Sequence, residues 1–84
     1  MKIKVTQEHI KKGKKNNCWR CPIALAIAEA SDGCRIAVLF EHYVIEDEAR
    51  TARTLPVEAI SFIASFDAGL PVAPFEFEIV GLGR

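Results

Sequence analysis

The segment Pro22-Ile-Ala-Leu-Ala-Ile-Ala-Glu-Ala30 carries one charged residue, Glu29, and is apolar on nearly every side. Proline at its start is where a helix tolerates a missing N–H without losing a bond, so the run predicts a helix opening at Cys21-Pro22. Ser31-Asp32-Gly33 stops it. A helix lying on a single sheet buries one stripe and shows the other to water. This one needs cover all round. The chain has only 84 residues to supply it, which is the length of one small domain spanning 1–84. Folding at that size removes roughly 60–65% of the unfolded chain's surface, enough for a thin core. Either a neighbouring short helix covers the outer face or a second copy of the chain does, so a homo-oligomer is expected.

The remaining pattern supplies the other elements. Residues 2–5 read as an edge strand with Ile3 and Val5 turned inward. Thr6 suits the N-cap of a short helix over 7–12, with Glu8 in its first turn and Gly13 at its end. Residues 34–40 are almost continuously apolar, as a central strand would be. Glu41-His42 turns the chain into a strand over 43–45, and Glu46-Asp47-Glu48 is a second turn. Residues 49–54 alternate weakly, as a further strand. Pro56 opens a helix to Ala68, closed by Gly69, with Glu58, Ser61 and Ser65 outward and Val57, Ile60, Ile63 and Ala64 inward. Asp67 sits in the last turn, where the helix dipole disfavours negative charge; Arg50, Arg53 or a lysine of the basic stretch would offset it. Pro71 and Pro74 stiffen a linker, and residues 75–79 alternate cleanly as a final strand. The expected class is α+β: a single small sheet of four or five strands with helices packed on one face. Two middle strands would give the ferredoxin-like βαββαβ order, and a third would break it.

Charge is balanced overall but not along the chain. Residues 1–20 hold Lys2, Lys4, Lys11, Lys12, Lys14, Lys15 and Arg20 against Glu8 alone, a net +6, and the rest of the chain carries −6. Such an asymmetry marks either an anion-binding end or a merely solvated basic loop. No apolar run approaches the ~18 residues of a membrane span. The first residues alternate in character and lack a signal peptide's apolar block. Three cysteines, an odd number, fit a reducing compartment better than a disulfide framework. A cytoplasmic protein, without membrane association, is expected.

Cys18-Trp19-Arg20-Cys21-Pro22 is the sharpest local pattern. C-x-x-C is half of many zinc sites, with His9 or Cys34 as further ligands, but a structural zinc usually draws on two such pairs. As a redox pair it would place its first cysteine at the helix start, whereas here proline follows the second. Structural thiols are the favoured reading, and no metal or cofactor is expected. Neither His9 nor His42 stands in a recognisable nucleophile motif, and the carboxylates between 41 and 48 lack a calcium-loop pattern. Nothing in the sequence announces catalysis, and a non-enzyme is expected. The candidate ligand-binding residues are Lys11, Lys12, Lys14, Lys15, Trp19 and Arg20. The lysines supply point charges for phosphates, Trp19 a stacking face, and the helix beginning at Pro22 its N–H groups. The glycine spacing and terminal Ser/Thr of a P-loop are missing.

The run Val5-Thr-Gln-Glu-His-Ile10, then Gly13, then Cys18-x-x-Cys-Pro-Ile-Ala-Leu-Ala-Ile27, resembles the opening of a family of small uncharacterised proteins encoded by bacteriophages and bacteria. Leu55-Pro56, Phe66-Asp-Ala-Gly69 and Pro74-Phe-Glu-Phe-Glu78 resemble its C-terminal half. The resemblance brings no catalytic residue with it. Together with the placement of the basic loop, it implies a phage protein in the host cytoplasm that counters defence by sequestering a phosphorylated nucleotide signal. A protein inhibitor of a host defence complex, using the acidic surface, and a nucleic-acid-binding accessory protein are the alternatives.

Overall fold

A computed structural model describes residues 2–31, 35–39, 41–45 and 52–79. The elements run β1 (Lys2–Val5), α1 (Gln7–Lys12), α2 (Pro22–Ala30), β2 (Ile36–Leu39), β3 (His42–Ile45), β4 (Ala52–Thr54), α3 (Val57–Asp67) and β5 (Phe75–Glu78). The mixed α+β class holds. The single sheet does not. The strands form two antiparallel sheets, β1–β5 and β2–β3–β4.

The separation has a visible local cause. Along β2 the Val38 amide donates to the Cys18 carbonyl (2.8 Å), so the loop before α2 takes a place at that edge which a neighbouring strand would need. The third middle strand is present, with Tyr43 opposite Arg53, and it removes the ferredoxin-like order together with the single sheet. Residues 49–51 of the expected fourth strand, and Cys34 and Phe40 of the expected second, lie outside the described residues.

Both sheets share one core. Ile3 and Val5 of β1, Ile36 and Val38 of β2, Tyr43 of β3 and Phe77 of β5 meet α2 and α3 in a single buried cluster. Helix α2 packs against both β1 and β2. Its outer side is covered by α1, which lays Ile10 on the core and His9 on Glu29. Of the nine α2 residues only Glu29 and Ala30 are exposed. The cover that α2 requires therefore comes from within the chain, which removes the reason for expecting a second copy on this helix.

Helix α3 is rotated relative to its expected face. Ala59, Phe62, Ile63 and Phe66 are buried, spaced i, i+3, i+4 and i+7. Val57 is 71% exposed, Ala64 is exposed and Ile60 is half-buried. The two phenylalanines decide the matter, since an aromatic ring buries far more apolar surface than valine or alanine. Phe62 stacks on Phe66 (6.2 Å between centroids) and Phe75 (4.9 Å), and Phe75 on Phe77 (5.5 Å), tying α3 to the last strand.

Gly13 ends α1, though not by a left-handed turn, since its φ is −69°. Its role is close approach. A Cβ there would lie 2.6 Å from Cδ of Pro22, so only glycine lets the end of α1 rest against the start of α2.

Candidate functional site

The basic segment is an ordered, closed loop. The Lys14 amide donates to the Arg20 carbonyl (2.9 Å), joining its two ends. Inside it, the Asn17 side-chain oxygen accepts from the amides of Trp19 (3.0 Å) and Arg20 (3.1 Å), an Asx turn of the kind asparagine favours. The Asn17 carbonyl accepts from the Cys21 amide (3.0 Å). Asn16 has φ +55°, a left-handed conformation that asparagine tolerates better than most residues. These backbone groups bond within the loop, and Lys14, Lys15, Trp19 and Arg20 face solvent beside Lys11 and Lys12 of α1. Lys12 also pairs with Glu8 (3.4 Å) across one helical turn. Trp19 is 40% exposed and carries the Arg35 guanidinium over its ring, 4.9 Å from the centroid. Arg35 adds a sixth cation to Lys11, Lys12, Lys14, Lys15 and Arg20, and no sequence spacing pointed to it.

The start of α2 is a different environment. Cys21 is its N-cap, and the thiol sulfur accepts from the Ala24 amide (3.4 Å). Pro22 has no N–H to offer. Cys21, Pro22, Ile23 and Ala24 are all buried. The N–H groups expected to meet an anion are therefore sealed under the loop, and α2 contributes no ligand contact through them. Burial pushes the Cys21 thiol up to about 11, against the smaller opposing effect of the Ala24 and Ile23 amides. It is a protonated, poorly nucleophilic group at neutral pH. Cys18 is half-buried. Among the described residues no three His, Cys, Asp or Glu side chains gather as a metal-binding group.

Asp67 bonds a backbone amide; of the cations expected near it, Arg50 lies outside the described residues and Lys15 Nζ reaches the end of α3 beside Gly69. The Asp67 carboxylate accepts from the Asn16 backbone amide (3.0 Å), fastening the basic loop to the end of α3. Between them lies an open groove of about 290 Å³ whose lining includes Cys18, Cys21, Leu39, Ile63 and Asp67. Among the described residues Asn16 and Asn17 also line it but no cation does, and the apolar walls, thiols and carboxylate suit a phosphate poorly. The cations of the loop therefore present an exposed surface, not a walled anion pocket.

Two arrangements escaped the sequence reading. His9, only 8% exposed, joins Thr6 to Glu29, with Nδ1 3.0 Å from the Thr6 amide and Nε2 2.7 Å from the Glu29 carboxylate. The i, i+3 spacing of Thr6 and His9 was a usable signal; Glu29, twenty residues on, was not. Tyr43 Oη and Arg53 Nε are buried, and neither finds a hydrogen-bond partner among the described residues. Burial pushes the Tyr43 phenol up, offset in part by the Arg53 charge.

No family model, curated protein or solved structure matches this chain. No helix among the described residues is long and apolar enough to cross a membrane.

Proposed function

We propose that this chain is a non-catalytic binding protein that holds a phosphate-bearing, nucleotide-type anion on the outward face of loop 14–20. The observation that carries the reading is the closure of that loop. With its backbone bonded inward, from Lys14 to Arg20 and around Asn17, it displays Lys14, Lys15 and Arg20 next to Lys11 and Lys12. A loop already ordered loses less entropy on binding than a mobile one. Trp19 with Arg35 stacked on it offers π-surface and charge together, the pairing that suits a base with its phosphate. The resemblance to phage-encoded proteins gives the setting: removal of a phosphorylated host defence signal from the cytoplasm.

The exposed position of these cations, with a carboxylate lining the neighbouring groove, favours a second reading, in which the ligand is single-stranded nucleic acid. Calorimetry separates the two. Wild type and the Lys14→Ala/Lys15→Ala/Arg20→Ala variant are titrated with cyclic and linear nucleotides and with a short oligonucleotide at two salt concentrations. Heat with a nucleotide, lost in the variant, is the expected result. Heat with the oligonucleotide alone, falling steeply with salt, selects nucleic acid. No heat with either rejects both and leaves inhibition of a host protein.

A further inference from the structure

We propose that Thr6 and His9 form a capping box that acid opens, so that the first turn of α1 is held only while the His9 ring is neutral. In a capping box the N-cap hydroxyl accepts from the amide three residues on, and a Glu or Gln side chain at that third position reaches back to the N-cap amide. Here histidine occupies the third position. The His9 amide meets Thr6 Oγ1 (3.4 Å), and the Thr6 amide meets His9 Nδ1 (3.0 Å).

Read as the return bond of the capping box, the second bond assigns the ring proton. A backbone N–H only donates, so Nδ1 must accept with its lone pair and carries no proton. The ring proton then sits on Nε2 and donates to Glu29 Oε1 (2.7 Å). This is also why the row of Thr6 hydroxyl, imidazole and carboxylate is a helix cap and not a nucleophile with its base: the Nδ1 lone pair is already engaged by the Thr6 amide.

A proton added to Nδ1 puts two donors face to face at the Thr6 amide and leaves only Thr6 Oγ1, 3.1 Å away, to accept it. The Thr6 amide loses its acceptor, and a positive ring stands in the N-terminal turn, where the helix dipole opposes it. The bond to Glu29 survives, because Nε2 donates in both states. The charged groups around the ring are few. Glu29 is the one charged residue of α2, the element packed on α1. On α1 itself Glu8, Lys11 and Lys12 are exposed, with Glu8 and Lys12 paired, and Lys4 on the preceding strand is exposed. Glu29 Oε1 lies 2.7 Å from Nε2, but its side chain is 73% exposed, so solvent screens its attraction for the protonated ring. The cap therefore contributes where the ring is neutral and is lost as the ring takes up a proton.

The test uses His9→Gln, which keeps a reaching acceptor for the Thr6 amide but does not titrate. In the wild type, nitrogen-15 spectra at pH 8 are expected to show the ring proton on Nε2. The protection factor of the Thr6 amide should fall roughly fivefold as His9 titrates, the usual strength of an N-cap. In His9→Gln that protection should stay constant across the same range. A ring proton on Nδ1 at pH 8 overturns the proposal, as does Thr6 protection that ignores the His9 titration or that falls equally in the glutamine variant.

Discussion

Helices α1 and α2 lie against each other, yet they begin by opposite means. The start of α1 is polar: a threonine hydroxyl on the surface, an imidazole behind it, and a tie to Glu29 across the helix pair. The start of α2 is apolar: a buried thiol, a proline without an N–H, and two residues, Ile23 and Ala24, almost wholly removed from water. A sulfur acceptor at 3.4 Å is a weak cap, so α2 owes its position to packing, whereas the short α1 depends on its cap. The contrast also relocates the function. Helix N-termini attract anions only where a ligand can reach them. The start of α2 is closed, and the charge that remains accessible is the side-chain charge of the loop between the helices.

The contrast is sharpest in stability. Ile27 of α2 is fully buried, and Ile27→Ala should cost about 2–5 kcal/mol through lost transfer energy and the cavity left behind. Thr6→Ala removes the α1 cap and should cost about 1 kcal/mol. Urea denaturation of both variants measures the difference. Equal costs would break the distinction between a packed helix and a capped one.

Thiol reactivity probes the buried start by itself. With Cys21 raised to about 11 from an ordinary 9.0, its thiolate fraction near pH 8 is roughly a hundredfold below that of an unperturbed thiol. Alkylation followed by peptide mapping should modify Cys18 well before Cys21 in the folded protein, with the difference shrinking in denaturant. Sign follows from the same shift: raising pH toward 11 exposes a thiolate whose charge the burial opposes, so the native state is weakened there and not in mild acid. Comparable modification of both cysteines in the native state would show that the start of α2 is open.

Much of this architecture was legible in the sequence because short-range rules set it. Thr6 as a cap, Pro22 at a helix start, inward Ile3 and Val5, and the alternation over 75–79 that contains β5 all follow from spacing and residue type. What the sequence hid depends on distant partners. The α3 face was misjudged because its polar residues were weighed and the stacking of Phe62 with Phe75 was not foreseeable. The two sheets stay apart through a bond between Val38 and the Cys18 carbonyl, which no pattern encodes. The candidate cations lie along one stretch of the chain and are exposed. Arg35 over Trp19, Asp67 on the Asn16 amide and the closure of the α2 start emerged only once the chain was folded.

The central claim is that an anionic ligand meets the surface of loop 14–20 and not the start of α2. Amide nitrogen-15 shifts recorded during a nucleotide titration test it most directly. The account predicts that the amides of Lys14, Lys15, Trp19 and Arg20 move together with the Trp19 indole, while those of Ile23 and Ala24 stay in place. Shifts that begin at Ile23 and Ala24, or a spectrum unchanged at saturating nucleotide, would contradict it.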